Sequence, residues 1–551
     1  MMAINPEQNA GTVKPSRVAR SALPNFLALL GAREQIQCGD PPRRRPALTT
    51  RSPTTPTGEP PFLVLTVILL AAFLIPRLPF FWYYPRVELS LDSQTYLDMA
   101  NVMKSGQWPH FIYRTPGYPL LIWGVTSVVD RWLAVIYVQN LLSFASALCL
   151  VGAVRRFRPS LAIPVALAMC GFLGSSQVMI YDISLLSDSL YTSVVILVVA
   201  FTFLAFSGNR PGWFAGASAL MGITILIRPA GSYLAVIYGL TVAYLLWNRC
   251  GHRTVASFAV PFPAILLCFC AYNKATIGQF TVSPFTEANL AGATALFWEP
   301  DPRMSAVANK ALDGIQDSYD KNGITHEDLE MVRHSWDTGP LFDIYDKAYN
   351  RLVWSAGWGS GSRFGSGDYM QNRKYIKEVS EMAIRRHPVL YFKYVWVNLV
   401  AFFEGIGYKF DVEGSMRYRE SRRHPEAAQG AAPAAPPGVD ERAVEGLQRG
   451  WQTVHGWIYQ NILWTFAYFA MLVASAVQLV RHRGRHLGAF LLLFLTLIPI
   501  GAALVVCLVE VALDRYSYAT QFVCYLSVAL SPLLWMATRP EAGPADDGAG
   551  R

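Results

Sequence analysis

The chain has 551 residues, of which 52% are hydrophobic and only 15% charged, with a net charge of +9. Soluble domains carry about 25% charged residues, so this composition excludes an ordinary soluble enzyme and points to an all-α polytopic membrane protein. The positive charge needs no nucleic-acid partner, because its clusters adjoin apolar runs, where basic residues set orientation.

In chain order, residues 1–61 are polar and rich in Pro, Thr and Arg, ending near Arg43-Arg44-Arg45. They read as a disordered cytosolic tail rather than a signal peptide, because the apolar run begins too late and is long enough to span. Ala22–Ile36 is the one stretch there that suits a surface helix, and an over-extended start codon is a further reading. Residues 62–272 form the expected transmembrane core, with apolar runs Phe62–Phe81, Trp132–Val154, Leu185–Phe206 and Val255–Tyr272. Each is close to the ~20 residues a bilayer requires.

The basic clusters Arg43–Arg45, Arg155–Arg158, Asn209-Arg210, Arg249–Arg253 and Arg481–His486 lie together in the cytosol only if Pro116–Val129 does not cross. That block is too short for a comfortable span and is expected as a half-helix dipping from the outer surface. Trp132–Val154 then enters the cytosol, Leu161–Met179 leaves, Leu185–Phe206 returns, Trp213–Ile227 leaves and Tyr233–Trp247 returns. Val255–Tyr272 leads out to an extracytoplasmic region, residues 273–455, with a partial helix at Tyr391–Phe403 and an Ala/Pro linker at Glu420–Glu445. Residues 456–537 hold the last helices, in Ile458–Val480, Leu487–Val509 and Ser517–Met536, and 538–551 a cytosolic tail. About ten full spans and two partial ones result.

This topology gathers polar residues on the outer face. The first outer loop, residues 82–115, carries Asp92, Tyr96, Asp98 and Arg114, followed by Tyr118. Asp182 and Asp188 flank the start of Leu185–Phe206, Arg228-Pro229 closes another span, and Asp514-Arg515-Tyr516 opens the last. Asp92 is the candidate general base, placed to take a proton from an acceptor hydroxyl beside the headgroups; capping of the helix that follows is the alternative. Arg114 suits bidentate binding of a phosphate, and snorkelling to the headgroups is its alternative. Arg228 has the same two readings. Asp188 also suits a helix start. Tyr96, Tyr118, Asp188, Arg228, Arg515 and Tyr516 complete the candidate substrate-binding set.

Two further segments carry chemistry-bearing residues. Trp354–Tyr369 alternates glycines with aromatics, without dinucleotide-binding spacing, and suits either a sugar-stacking loop or a flexible surface loop. Phe297–Asp301 offers Glu299 and Asp301, so a divalent metal on oxygen ligands is conceivable, although no ligand pattern requires one. The eight cysteines are scattered, with no CxxC, and read as small buried apolar residues.

Asp92 with Tyr96, Tyr113-Arg114-Thr115-Pro116-Gly117-Tyr118-Pro119-Leu120-Leu121, Leu186–Tyr191, Ile225–Pro229 and Arg515-Tyr516 together resemble the GT-C glycosyltransferases that use polyprenyl-phosphate sugars. Within that class they are similar to the protein mannosyltransferase, lipid A aminoarabinose transferase and lipopolysaccharide galacturonosyltransferase group. The resemblance spans Phe62–Gly278 and, more loosely, the last helices. It implies a GT-C-like fold with an extracytoplasmic site, Asp92 as base and Arg114 as the ligand of the donor phosphate. The chain differs in having Asp92-Ser93 where protein mannosyltransferases have Asp-Glu. It also has Arg114-Thr115-Pro116 where aminoarabinose transferases carry Glu-Lys-Pro-Pro.

The expected function is therefore an inner-membrane glycosyltransferase. It would move a sugar, with inversion, from a polyprenyl phosphate to a hydroxyl of an envelope glycan, lipid or protein. A flippase for lipid-linked sugars would share a basic outer pocket but should show inverted repeats, and none is seen. A noncatalytic envelope-assembly protein is the third class.

Overall fold

A computed structural model describes residues 61–535, apart from residues 84–86, 88, 90, 209, 356, 360–361, 365–367, 408–449, 451–452, 456–457, 459–462 and 510–513. The N-terminal tail with Ala22–Ile36, the linker Glu420–Glu445 and the tail after Thr538 lie outside the described residues. What is described is helical throughout, with no strand.

Six helices are long and apolar enough to cross a membrane: Trp132–Phe157, Ser187–Gly208, Pro229–Trp247, His252–Ile277, Leu463–Arg481 and Leu487–Val509. In lipid no water can satisfy exposed backbone amides, so helices that bond internally are the solution such sequences adopt. A bent pair, Pro159–Leu173 and Gln177–Ile183, would make a seventh span, and Phe62–Leu78, Pro211–Ile227 and Pro388–Phe403 are shorter apolar helices. The chain is a multi-pass membrane protein.

The expected boundaries return with shifts that have local causes. Arg155 and Arg156 fall in the last turn of Trp132–Phe157, where cations complement the helix dipole. The run expected at Val255–Tyr272 begins three residues earlier, at His252, and ends where Gly278 takes φ +74°. The last apolar run divides into Asp514–Ala529 and a short 3-10 turn, Ser531–Trp535, the break falling just before Pro532, which cannot continue the hydrogen-bond ladder.

Leu161–Met179, expected as a single crossing, is instead broken by 64° between Leu173 and Gln177. The break sits at Gly174-Ser175-Ser176, where glycine and serines give the chain no reason to stay helical.

The half-helix is present. Gly117–Thr126 has ten residues, about 15 Å of rise and so half a hydrocarbon core. Its entry depends on Gly117, where an added Cβ would stand 2.7–2.8 Å from Ile227 and the Leu226 carbonyl. Only glycine lets this helix start press on the end of Pro211–Ile227.

Two apolar cores result. The larger joins the membrane helices around Ser187–Gly208, whose apolar window is 83% buried. The smaller forms a second lobe from residues 288–397. Helix Pro388–Gly407 joins them, and the Tyr391 hydroxyl donates to the Leu508 carbonyl at 2.6 Å.

Candidate functional site

The site forms where the first-loop helix Leu91–Lys104, the half-helix, the start of Ser187–Gly208 and the end of Pro211–Ile227 meet. Asp92 lies in the first turn of its helix. Its carboxylate pairs with the Arg114 guanidinium, and both side chains are one-quarter exposed. Arg114 Nε also donates to Thr95 Oγ1 at 2.9 Å, and its guanidinium stands 5.0 Å over the Tyr96 ring. One arginine is thus fixed by an acid, a hydroxyl and a π-face, all from one turn of helix.

Tyr96 carries the site inward. Its hydroxyl lies 3.0 Å from Ser187 Oγ, and its ring meets Tyr118 edge-on with centroids 4.9 Å apart. The Tyr118 hydroxyl donates to Gln139 Oε1 at 2.5 Å. Next to Ser187, Asp188 is fully buried and pairs with Arg228, whose side chain is 10% exposed. Arg228 follows the last residue of Pro211–Ile227 and precedes the 3-10 turn Pro229–Tyr233. Around this second pair stand Tyr191, donating to the Tyr233 hydroxyl at 3.2 Å, and Tyr518, which accepts from Thr192 at 3.1 Å.

The structure therefore brings together Asp92, Tyr96, Arg114, Tyr118, Asp188 and Arg228. The first pair is accessible and the second nearly sealed. Asp98 sits on the outer side of its helix and accepts from Gln94 at 2.7 Å. The helix that carries Arg515 and Tyr516 starts at Asp514 and brings the buried Ser517 and Tyr518 to the cluster; the side chains of Arg515 and Tyr516 lie outside the described residues.

One arrangement was not anticipated. Arg77, fully buried in the first apolar helix, binds Asp182 at 2.6 Å. It also donates to Asn140 Oδ1 at 3.0 Å and to the Leu173 carbonyl at 2.7 Å. Asp182 in turn accepts from Ser189 at 2.5 Å, and its carbonyl accepts from Asn140 at 2.9 Å. Gln139 donates to the Ser184 carbonyl at 3.1 Å. The broken span is thereby clamped at its open end, and the strand of residues leading to Asp188 is held in place. The signal was a single arginine inside an apolar run and an adjacent Gln139-Asn140 in another, both costly in lipid unless paired.

The second lobe reaches the site through Tyr113, beside Arg114. The Tyr113 ring packs edge-on against Phe285 at 5.3 Å and near Tyr369 at 6.0 Å. Burial, and then the nearby Asp368 carboxylate, push the Tyr113 phenol above its ordinary value, so it stays neutral.

The glycine-aromatic segment departs from both expectations. Trp358, Phe364 and Tyr369 are buried in the lobe's core, and Trp354 stacks on Phe285 at 5.3 Å. The Tyr369 hydroxyl donates to the Pro284 carbonyl at 2.9 Å. These rings are spent on packing, because close-set aromatics gain more from one another than from standing in water, so the described aromatics of this segment form no open stacking platform.

Glu299 and Asp301 are likewise engaged. Glu299 pairs with Arg386 at 3.2 Å, and Asp301 with Arg303 at 2.8 Å. The hydrogen bonds from Arg303 hold the Asp301 carboxyl well below the usual carboxylate range. Among the described residues no three His, Cys, Asp or Glu gather as metal ligands, and Asp92 and Asp188 each face an arginine.

No family model matches the chain, and no curated protein matches it. Among solved structures the chain is similar to ArnT from Cupriavidus metallidurans in the apo state, at 14% identity and a TM-score of 0.31, covering 86% of this chain and 78% of that one. It is similar also to that ArnT bound to undecaprenyl phosphate, at 14% identity and a TM-score of 0.30, covering 85% and 78%.

Proposed function

We propose that this chain is an integral membrane glycosyltransferase of the GT-C type. It takes a sugar from a polyprenyl-phosphate donor and passes it to a hydroxyl acceptor on the extracytoplasmic face. The observation that carries the reading is the partly exposed Asp92–Arg114 pair, backed through Tyr96 and Ser187 by the buried Asp188–Arg228 pair. An acid and a phosphate-binding cation stand side by side at a membrane edge, supported by four segments far apart in sequence.

The pairing suggests how the site is armed. With no donor, Arg114 neutralises Asp92, and an ion-paired carboxylate is a poor base. A donor phosphate competes for the guanidinium through bidentate bonds and so makes Asp92 a better acceptor for the hydroxyl's proton. The acceptor oxygen then attacks the anomeric carbon from the face opposite the phosphate, the bond from that carbon to the phosphate oxygen breaks, and the configuration inverts. The leaving phosphate gains negative charge, which Arg114 meets directly and Arg228 stabilises from behind. Asp188 keeps Arg228 oriented, and Tyr118 supports Tyr96.

The test is reconstitution of the purified chain in liposomes with polyprenyl-phosphate sugars and acceptor lipids or glycans. Sugar transfer that Asp92→Asn abolishes supports the reading. Donor movement across the bilayer with no glycosylated product would assign a flippase instead.

A further inference from the structure

The end of the bundle away from the candidate site carries a second constellation. Helix Leu234–Trp247 starts just after the Arg228-Pro229 turn and runs about 21 Å from it. There it ends beside helix Leu463–Arg481, and the two ends are built alike. In the first, the Arg249 amide donates to the Leu246 carbonyl at 3.0 Å and the Cys250 amide to the Leu245 carbonyl at 3.0 Å. In the second, the Arg483 amide donates to the Val480 carbonyl at 2.9 Å and the Gly484 amide to the Leu479 carbonyl at 2.8 Å.

Both are Schellman endings, whose left-handed position glycine normally fills. Here arginine fills both, at φ +52° for Arg249 and +49° for Arg483. They are the two non-glycine residues with positive φ among those described. An L side chain is disfavoured in that conformation. The two turns are also fastened together, because Trp247 Nε1 donates to the Arg483 carbonyl at 2.8 Å and Asn248 Nδ2 to the Gly484 carbonyl at 3.2 Å.

Beside these turns lies an apolar cavity of about 410 Å³. Leu240 and Trp247 line one wall, Leu479 a second and Phe494 a third, and Arg483 is the charged residue on its surface. The floor is rigid, since Tyr244 stacks on Phe490 at 3.7 Å. Both arginines are exposed, and among the described residues neither stands in an ion pair.

We infer that this cavity is a binding site for an anionic diacyl phospholipid of the leaflet away from the transfer site. One acyl chain fills the groove, and the phosphate rests on Arg483 with Arg249 beside it. The volume falls within the range of small-molecule pockets. Basic pockets between membrane helices recognise phosphate headgroups in this way, and an interfacial tryptophan places the groove's mouth at headgroup depth. Glycine would relieve both turns; a basic residue anywhere in these loops would set orientation, whereas a phosphate ligand gives a reason for arginine at the two left-handed positions beside the cavity. The site is independent of the catalytic reading.

The experiment is native mass spectrometry of the full chain in detergent, titrated separately with phosphatidylglycerol, phosphatidylcholine, polyprenyl phosphate and inorganic phosphate. Phosphatidylglycerol should be retained in preference to phosphatidylcholine. In the double variant Arg249→Gly with Arg483→Gly its affinity should fall about 30-fold, while lipid-free thermal stability holds or rises because the turns are relieved. Leu240→Trp, which fills the groove without touching the arginines, should also remove the lipid. Retention by the double variant, equal binding of the two phospholipids, competition by inorganic phosphate alone, or preference for polyprenyl phosphate would each overturn the proposal.

Discussion

At the residue scale, function turns on who holds each charge. Asp92→Asn keeps the shape of the first-loop turn but removes the proton acceptor, so transfer should fall by about 10²–10⁴-fold with little change in donor retention, measured as kcat against KM in liposomes. Arg114→Lys keeps the charge but loses the fork that spans two phosphate oxygens, so the KM for donor should rise as well. Arg77 poses a different problem. Arg77→Met strands the buried Asp182 carboxylate and should destabilise the chain by about 3–5 kcal/mol, whereas Arg77→Met with Asp182→Leu should recover most of that. Thermal melting of the two variants decides it; equal melting points would show that the pair holds nothing.

Legibility at this scale followed position along the apolar runs. Asp92, Arg114, Asp188 and Arg228 stand at the ends of apolar runs, where a charge is conspicuous. Arg77 lies inside one, and its run reads as lipid-spanning whether or not the charge is noticed. Which acid each arginine would choose was invisible, because Asp92 and Arg114 are 22 residues apart and Arg77 and Asp182 are 105 apart.

At the element scale, the half-helix was readable from charge bookkeeping alone. The basic loops agree on one side only if Pro116–Val129 turns back, and the ten-residue helix Gly117–Thr126 does not extend across. Gly117→Leu should separate this helix from Ile227, against which its new side chain would collide. Activity should be lost together with several degrees of melting temperature; a fully active variant would show that the contact is dispensable. The broken span was not readable. Gly174-Ser175-Ser176 contains no proline, and continuous apolarity on both sides suggests one straight helix. Gly174-Ser175-Ser176 permits a bend without requiring one, and Arg77, which donates to the Leu173 carbonyl there, is a tertiary partner that no local pattern discloses. The aromatics of Trp354–Tyr369 misled for the same reason, because rings that look available in sequence find one another in the fold.

At the scale of the whole molecule, the fold separates two ends. The second lobe and the acid-arginine pairs stand at one, and the turns of Arg249 and Arg483 at the other. In a background stripped of native cysteines, Ser105→Cys and Arg481→Cys should react with a membrane-impermeant maleimide from opposite sides of sealed vesicles. Labelling from the same side would dismantle the proposed topology. The lobe's existence was legible only as a long stretch between apolar runs, since its short helices are held by contacts among themselves.

Tyr113 ties the lobe to the membrane domain one residue from Arg114, wedged between Phe285 and the Tyr369 ring. The lobe is therefore a lever on the guanidinium. Any shift of the lobe's aromatic core would be passed to the backbone at 113–114 and so to the Arg114–Asp92 ion pair, which makes that pair the place where the two cores are mechanically joined.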